Sequence, residues 1–319
     1  MLFESYAKLV NNFPDGCDQL FGQALTEDNA FWLSVDGDAC PSLLFSARRE
    51  DVRSDIELRS VSVCFSRDCV VEAAKGEATM GIYTVVRLNE NDPDIVRMLL
   101  RLLEETFRTR KTPYTNKEIA VRILELADLF KQIGDSTGDI VGLWGELYVL
   151  SRASNLQTAV QCWCLNKNAK YDYVTDGFAL EAKTTVRSRR KHRFSLDQLR
   201  PNGEFRVYVA SLAVVELNSG HTAADLMDEM YGKIGDDDLR ARFFAQCLVK
   251  GGRDIYRNTL KLGVFPDGTS LMVLDASTIP VPEVAQASLI ENVRFDVDLT
   301  DLSPVSRREL DTVLAFGRA

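Results

Sequence analysis

The spacing of apolar residues predicts a β-rich segment at the start of the chain. Short apolar or alternating runs occupy 31–35, 42–45, 57–65 and 81–88, and each is typical of a strand. Over 92–109 the apolar residues recur with helical spacing instead, which predicts a helix. This part of the chain carries no constellation of catalytic residues. We therefore expect it to be a packing or partner-binding module.

Two more helices are predicted in the next part of the chain. Thr115 and Glu118 have the spacing of a capping box, in which each side chain bonds the backbone of the other residue. The helix that they open runs to about residue 134, and a further helix is expected over about 138–153. The apolar face of this second helix predicts which side lies in the core. Its members are Ile140, Leu143, Trp144, Leu147 and Tyr148.

Glu146 points away from that apolar face and has two interpretations. It is either a solvated helix residue or a group to which another element comes close. Gly142 and Gly145 favour the close approach of another element. Glycine in a helix costs about 1 kcal/mol relative to alanine, and tight backbone packing would compensate for that cost. The helix sequence by itself favours the solvated interpretation, since glutamate is mostly exposed in proteins.

The stretch from Tyr171 to Thr185 predicts two short strands joined by a tight turn. Asp176-Gly177 suits a type I′ turn, which requires positive φ at both central residues. Symmetrical pairing about that turn places Asp172 opposite Glu181, and strand alternation puts Lys183 on the same face as Glu181. Two facing acids destabilise a sheet unless something neutralises them, and a divalent ion would do so. The alternative is an ordinary solvated strand face.

The rest of the chain predicts further mixed structure. Ser195 and Gln198 form another capping box, so Gln198 is either structural or a polar contact beside a metal site or a DNA backbone. The nearly continuous apolar run 204–215 predicts a strand buried on both faces. Helices are expected at about 221–233, 236–248 and 306–316, and strands at about 256–264, 270–274 and 291–298. The whole is an α/β chain of mixed α+β type.

Composition narrows the class of protein. The chain has 319 residues, of which 45% are hydrophobic and 27% charged, as in ordinary globular proteins. No apolar run reaches the roughly 18 residues of a membrane span, and the N-terminus lacks a secretory pattern. Seven scattered cysteines fit a reducing cytoplasm. No GxGxxG, GxxxxGK[ST] or HExxH motif is present, and the lack of a nucleotide-binding loop argues against a dehydrogenase or an ATPase.

The net charge of −9 argues against a surface that binds nucleic acid everywhere. It leaves room for a local basic groove, and one cluster of basic residues follows the hairpin. The members of this basic cluster are Arg187, Arg189, Arg190, Lys191 and Arg193. The cluster either clamps a nucleic-acid backbone without reading its sequence or forms a solvated loop.

A helix glutamate, a strand aspartate and a Glu-x-Lys pair on the next strand occur here in the order of the PD-(D/E)XK nuclease superfamily. The chain resembles the bacterial group called PD-(D/E)XK family member proteins, a domain of unknown function. The resemblance rests on four segments, which are Gly142 to Leu147, Asp172-Tyr173, Leu180 to Thr184 and Phe194 to Leu199. Tyr171 stands where the family usually has proline.

The resemblance implies a restriction-endonuclease-like core, with a central mixed sheet flanked by helices, over 113–250. A β-rich domain ending in a helix would precede it at 1–112, and a C-terminal α/β extension would follow at 251–319. A metal-dependent DNA endonuclease is the implied activity, in a restriction or phage-defence system. DNA and other subunits of such a system are the implied partners, and a homodimer is expected by analogy only.

The resemblance also implies roles for the site residues. Asp172, Glu181 and the backbone carbonyl of Ala182 would bind Mg²⁺, with Mn²⁺ as a substitute. Glu146 would hold a second metal or a water on it. Lys183 would position or help to deprotonate the attacking water and offset charge on the phosphate. Gln198 would assist beside the metal.

Two other functions stay open at this point. The first is a subunit that binds DNA or protein on the same core but has lost catalytic activity. The acidic net charge and the large motif-free flanks favour it. A structure-specific nuclease or an RNase on the same core is the other alternative. The presence of every expected active-site residue favours the endonuclease.

Overall fold

The computed structural model describes residues 2–14, 19–73, 78–107, 113–134, 138–164, 169–200, 206–283 and 292–317, with backbone alone at 130–132 and 134. The chain divides into two compact units, Met1–Asp135 and Ser136–Ala319. This differs from the three segments that the sequence predicts. The boundary lies beyond the helix that begins near residue 115, and residues 251–319 form one unit with the predicted core.

The first unit is a small barrel with helices. Its strands are β1 (Leu20–Ala24), β2 (Phe31–Val35), β3 (Pro41–Ser46), β4 (Ile56–Glu57), β5 (Val61–Ala73) and β6 (Ala78–Leu88). Its helices are α1 (Leu2–Asn11), α2 (Pro93–Thr106) and α3 (Asn116–Gly134). The sheet runs β1-β2-β3-β6-β5-β4, and a parallel pairing of β1 with β5 closes the ring. Closure pairs strand edges that would otherwise be exposed.

The predicted β-rich character of this unit is confirmed, and so is the helix after it. Of the predicted helix 92–109, residues 108 and 109 lie outside the described part of the chain. The sequence analysis missed α1 and β1, although Leu2, Tyr6 and Leu9 of α1 recur at helical spacing and are buried. A bulge interrupts β5 between Cys64 and Arg67, where Ser66 takes a positive φ of 51°. Such bulges bend a strand and help a sheet to curve into a ring.

Hydrogen bonds of Asn116 explain why α3 belongs to the first unit. The Nδ2 group of Asn116 donates to the carbonyl of Asp51 at 2.5 Å and to Oγ of Ser66 at 2.9 Å. The Oδ1 atom of Asn116 accepts from the Thr84 hydroxyl at 2.5 Å. A buried amide with all these partners anchors the start of the helix to the barrel. The apolar pattern cannot show such a polar anchor.

The second unit contains the remaining elements. Its helices are α4 (Ile140–Ser151), α5 (Leu156–Cys162), α6 (Leu196–Leu199), α7 (Ala223–Lys233), α8 (Asp237–Gly251) and α9 (Arg307–Ala315). Its strands are β7 (Tyr173–Val174), β8 (Phe178–Thr185), β9 (Lys191–Ser195), β10 (Arg206–Ala213), β11 (Val215–His221), β12 (Leu262–Gly263), β13 (Leu271–Asp275) and β14 (Arg294–Asp298). The main sheet has the order β13-β10-β8-β7.

The central strand of this sheet is β10, and it is buried from Val207 to Ala213. It pairs parallel to β8 and antiparallel to β13, so the sheet is mixed as the sequence predicts. Of the predicted strand 204–215, residues 204 and 205 lie outside the described part. Strand β11 continues the chain as a largely exposed ribbon with β12, and the strand predicted at 256–264 shrinks to Leu262–Gly263. No helix in the described part of the chain has the length and apolarity that crossing a bilayer requires.

Helix α4 packs against β8 through a glycine. A Cβ atom added at Gly145 would lie 1.7 Å from Oγ1 of Thr184 and 2.9 Å from its Cβ. The side chain of any other residue would therefore push the helix away from the sheet. The close approach that the glycines of this helix predict is confirmed at Gly145. At Gly142 the space is instead taken by the carboxylate of Asp139, which caps the helix.

We expect Gly145→Ala to lower the free energy of unfolding by about 1–3 kcal/mol, because it overpacks the contact between helix and sheet. Gly232→Ala in α7 is the matched control. Nothing lies within 4 Å of the Cβ position there, so this substitution should stabilise the protein by about 0.4–1 kcal/mol. Urea unfolding of both variants measures the two shifts. Equal effects would show that the contact at Gly145 does not constrain the packing.

Candidate active site

The hairpin predicted around Asp176-Gly177 forms in the expected register. Tyr173 lies opposite Leu180, and one further step along the strands sets Asp172 against Glu181. The Asp172 side chain turns toward the neighbouring strand, where its Oδ2 atom accepts a hydrogen bond of 2.9 Å from the backbone N–H of Ala182. This bond fixes one oxygen of the carboxylate.

The turn itself differs from the type I′ turn that the sequence predicts. Neither Asp176 nor Gly177 has a positive φ. Instead, Oγ1 of Thr175 accepts from the backbone N–H groups of Gly177 at 3.2 Å and Phe178 at 2.9 Å. A threonine side chain that replaces a backbone acceptor lets the chain reverse without left-handed residues. The pairing register of the two strands is as predicted, because the loop has the same number of residues as the predicted turn.

Glu146 is buried, with 9% of its surface exposed, so the solvated interpretation is wrong. Its Oε2 atom accepts a hydrogen bond of 2.5 Å from the indole Nε1 of Trp163. Its backbone carbonyl accepts from the Tyr173 hydroxyl at 2.7 Å. The helix residue is thus tied to the hairpin that carries Asp172. Side chain and backbone are both held in one orientation.

Lys250 at the end of α8 joins Glu146 to Asp172. Its Nζ atom lies 2.5 Å from Oε2 of Glu146 and 3.2 Å from Oδ1 of Asp172. The same ammonium group lies 5.4 Å from the centre of the Trp163 ring, within the range of a cation–π contact. The side chain of Lys250 is only 13% exposed. A cation is therefore built into the gap between these two acids.

Glu181, Lys183 and Gln198 form the other half of the site. Lys183 Nζ lies 2.7 Å from Oε1 of Glu181 and 5.6 Å from the centre of the Phe194 ring. The side-chain amide of Gln198 donates to the same Glu181 oxygen at 2.9 Å. Its Oε1 accepts from the backbone of Ser195 at 3.1 Å, which completes the capping box. Gln198 therefore both completes the cap of α6 and contacts the site.

The acids of the site influence one another strongly. Burial, followed by the charge of Asp172, raises the pKa of Glu146 to about 8 and that of Glu181 to about 7. Burial opposes the charged form of Lys250, but Glu146 and Asp172 outweigh it and raise its pKa. The two ammonium groups lower the pKa values of these acids, but burial together with the charge of Asp172 outweighs them. Clusters of this kind are typical of functional sites.

The raised pKa of Glu181 sets the sign of a pH effect on stability. Since the folded-state value of about 7 exceeds the usual 4.5, the folded protein holds the proton where the unfolded chain has lost it. The stabilising contribution is present below about pH 4.5 and is lost as the pH rises through about 7.

We expect Glu181→Gln to become more stable relative to the metal-free wild type between pH 5 and pH 8, by roughly 1–3 kcal/mol. Unfolding curves at a series of pH values measure this difference. Glu229, whose pKa is lowered by the hydrogen bond from Lys233, should show the opposite direction on substitution by Gln. A difference for Glu181→Gln that does not vary with pH would contradict the assignment.

Asp172 and Glu181 suit a single divalent ion. Both supply carboxylate oxygens, the donors that Mg²⁺ prefers, and Asp172 directly precedes β7, the strand that pairs with the Glu181-bearing β8. Burial and the charge of Asp172 raise the pKa of Glu181 to about 7, and a divalent ion in contact with both carboxylates would favour their charged forms. Protein Mg²⁺ sites often contain one or two carboxylates, with waters and substrate oxygens completing the octahedron. The contribution of the Ala182 carbonyl stays a prediction.

Glu146 does not suit the metal-binding role that the resemblance implies. Its Oε2 atom already accepts from Trp163 and from Lys250. In the described ranges, no three histidine, cysteine or acidic side chains are arranged as a ready metal cluster. The arrangement therefore differs from a set of acids converging on one point. Lysines separate the carboxylates.

We expect Gln198→Ala to weaken Mn²⁺ binding by about 10- to 100-fold, the usual effect of removing a group that orients a metal ligand. Ser195→Ala is the matched control, because it breaks the other half of the capping box but leaves the bond from Gln198 to Glu181. Titration calorimetry gives both affinities. If Ser195→Ala weakened binding as much as Gln198→Ala, helix capping rather than orientation of Glu181 would explain the effect.

Arg190 departs from the predicted clamp on a nucleic-acid backbone. Its guanidinium group donates to the carbonyl of Ser211 at 2.7 Å, to that of Ser270 at 2.9 Å and to that of Thr269. These bonds fasten the chain after β8 to the edge of the main sheet. A side chain that satisfies several backbone acceptors is not available to bind phosphate, so Arg190 has a structural role.

The other four members of the basic cluster are exposed. Arg189 pairs with Asp298 at 2.7 Å, and Arg193 pairs with Asp296 at 3.2 Å. Exposed pairs of this kind contribute about 0–1 kcal/mol, so a phosphate group can compete for the arginines. The remaining members are Arg187 and Lys191. The predicted contact with nucleic acid rests on these four residues.

Helix α4 carries a glutamate, an aspartate directly precedes β7, and β8 carries a Glu-x-Lys pair. The hairpin of β7 and β8 belongs to the main mixed sheet, and α4 packs against β8. Residues of these types occur in the PD-(D/E)XK class, whose members are typically nucleases that use divalent metals. The chain belongs to one family of this class. The family model described as "Putative PD-(D/E)XK family member, (DUF4420)" matches residues 25–299 and confirms the resemblance. No curated protein and no solved structure matches the chain.

Sequence reasoning missed Lys250 and Trp163. Lys250 carries no motif and lies on a helix whose charges suggest only a solvated face. The weak signal beside it is Gly251-Gly252. A Cβ atom at Gly251 would lie 2.8 Å from Leu143 in α4, so this glycine lets the end of α8 reach the helix that carries Glu146.

Proposed function

We propose that this protein is a Mg²⁺-dependent DNA endonuclease that hydrolyses phosphodiester bonds. The observation that carries the proposal is the grouping of Asp172, which directly precedes β7, with Glu181 and Lys183 on the paired strand β8. Membership of the PD-(D/E)XK class supports the reaction type. A place in a restriction or phage-defence system is part of the proposal and rests on the family resemblance.

Each residue of the site has a defined task in this proposal. Asp172 and Glu181 would hold the ion, which would stabilise the charge that develops on the phosphodiester and activate water. Lys183, held beside Glu181 at 2.7 Å, would orient the attacking water and offset charge on a phosphate oxygen. Gln198 keeps Glu181 in one orientation. These groups are positioned before substrate arrives, which is where their catalytic value lies.

The exposed members of the basic cluster would hold the DNA backbone. They follow β8, the strand that bears Glu181 and Lys183, and therefore lie next to the site in the chain. Backbone contacts through arginine and lysine contribute affinity without sequence information, and that affinity falls steeply as salt rises. The choice of sequence or structure would come from other surfaces.

Cleavage of supercoiled plasmid by the purified full chain tests the proposal. We expect nicked or linear product with Mg²⁺ or Mn²⁺, none with EDTA, and none from Lys183→Ala. Lys233→Ala alters an exposed ion pair on α7 and serves as the matched control. Activity that persists unchanged in Lys183→Ala would overturn the assigned site. Parallel assays on single-stranded DNA and on RNA distinguish the structure-specific and RNase alternatives.

A second function is favoured by one specific observation. Lys250 and Lys183 already occupy the acids of the site, as expected of a core that has become a silent binding subunit. Such a protein would bind neither Mg²⁺ nor Mn²⁺ measurably and would still bind DNA or a protein partner. Calorimetric titration with Mn²⁺ separates the two functions before any cleavage assay.

A further inference from the structure

The ammonium group of Lys250 lies where a second metal would be expected. In the arrangement that the resemblance implies, Glu146 binds a second ion beside the one held by Asp172 and Glu181. The structure instead places Lys250 Nζ 2.5 Å from Glu146 and 3.2 Å from Asp172. Glu146 is the carboxylate that the resemblance assigns to a second ion or to a water on it.

The surroundings of Lys250 form a built site for a cation. Trp163 contacts this site through its indole N–H group and through its ring. Its indole N–H donates to the same Glu146 oxygen that Lys250 contacts, and its ring centre lies 5.4 Å from the ammonium nitrogen. The side chains of Lys250 and Glu146 are only 13% and 11% exposed. A lysine on the protein surface would be hydrated and would lack these buried partners. The contact is therefore more than a chance ion pair.

Backbone packing brings the lysine to this position. Lys250 lies in the last turn of α8, and Gly251 and Gly252 follow it directly. A Cβ atom at Gly138 would lie 2.0 Å from the carbonyl oxygen of Gly251. The chain before α4 and the end of α8 thus approach more closely than side chains would allow. This contact holds Lys250 against Glu146.

Charge favours the same conclusion. With every group ionised, the acids Glu146, Asp172 and Glu181 and the bases Lys183 and Lys250 leave one net negative charge. A single divalent ion would turn this into one positive charge, which matches one phosphodiester group. Two divalent ions would leave a buried excess of three positive charges, and uncompensated buried charge is costly.

We propose that Lys250 is a built-in substitute for the second metal, so that the cleft binds one divalent ion, at Asp172 and Glu181. The inference deepens the proposed function and rests on it for the ion at Asp172 and Glu181. Glu146 then acts as a positioning residue, since it holds Lys250 instead of a metal. The role of Lys250 would be to supply fixed positive charge next to Asp172 without exchanging with solvent.

The test is the number of Mn²⁺ ions bound by the full chain, measured by titration calorimetry and by electron paramagnetic resonance. We expect one ion in the wild type and in Lys250→Arg, which keeps the charge. Lys250→Met frees Glu146 and Asp172, so it should bind two ions and show the spin coupling of a close Mn²⁺ pair. A lysine with a merely structural role would not change this number.

Each outcome separates the inference from the proposed function. Two ions in the wild type, or one in both the wild type and Lys250→Met, would overturn the inference and leave a metal-dependent nuclease intact. No ion in the wild type but one or more in Lys250→Met would support the role of Lys250 and overturn the nuclease. No ion in either protein would overturn both. If Lys250→Met does not fold, Glu146→Gln provides the second variant, and an unchanged single ion is expected.

Discussion

Asp172→Asn should reduce metal-dependent DNA cleavage by about 10³-fold or more, because removing even one group that stabilises developing charge typically costs about 10²–10³-fold. After burial, the charge of Asp172 is the next largest cause of the raised pKa values of both Glu146 and Glu181. Asp172 also bonds the backbone of Ala182 through one oxygen and Lys250 through the other. The variant removes the negative charge shared by both halves of the site.

The same substitution has two opposing effects on the stability of the metal-free protein. The asparagine carbonyl can still accept from Ala182, but its amide group would then face the ammonium group of Lys250 in place of a carboxylate oxygen. The substitution also removes repulsion among buried acids, as expected where a site is organised for function at some cost in stability. Asp176→Asn, at the exposed turn of the same hairpin, is the matched control for activity. Full cleavage by Asp172→Asn, with the rate of the control, would exclude this carboxylate from the reaction.

Lys250→Met should lower the free energy of unfolding of the metal-free protein by about 3–5 kcal/mol at pH 8, the usual cost of removing one partner from a buried ion pair. The two carboxylates that contact Lys250 would be left without a cation in a poorly solvated place. Chemical denaturation at pH 8 measures the loss. The cost should shrink at pH 5, because Glu146 can then take up a proton in place of the lysine contact.

Lys233→Met is the matched control for this prediction. Lys233 also pairs with a glutamate, Glu229 at 2.6 Å, but both side chains are more than half exposed. Surface pairs four residues apart on a helix contribute about 0.3–0.5 kcal/mol, so the loss should be near that value. Mn²⁺ should restore much of the stability of Lys250→Met, since a ligand that binds only the folded state stabilises it. Equal losses in the two variants would show that burial adds nothing to the Lys250 contacts.

Local patterns predicted much of the second unit. The hairpin register follows from alternation and from the length of the loop, and both are properties of neighbouring residues. Its turn was predicted with the wrong geometry, because Thr175 provides a side-chain acceptor that the Asp-Gly pair does not reveal. The capping box at Ser195 was likewise local, as was the one at Thr115 in the first unit, and both appear as predicted.

Longer-range features escaped the sequence patterns. The side chain of Asn116 anchors α3 to the barrel through residues at least 32 positions away, and no local pattern shows such contacts. Arg190 belongs to a basic cluster in the sequence, yet its guanidinium group binds the carbonyls of Thr269 and Ser270. A charge pattern shows which residues are basic, but it does not show which acceptors they meet.

The sequence by itself determined the chemistry of the candidate site, namely the acids Asp172 and Glu181 on paired strands, with Lys183 beside them. Only the tertiary structure decided what neutralises those acids. Lys250 lies 104 residues from Glu146 and 78 from Asp172 along the chain. Pairing within a hairpin depends on residues that are close in sequence, so alternation predicts it. The meeting of α8 with α4 depends on how whole helices pack, and a buried ion pair leaves no periodic trace in the sequence.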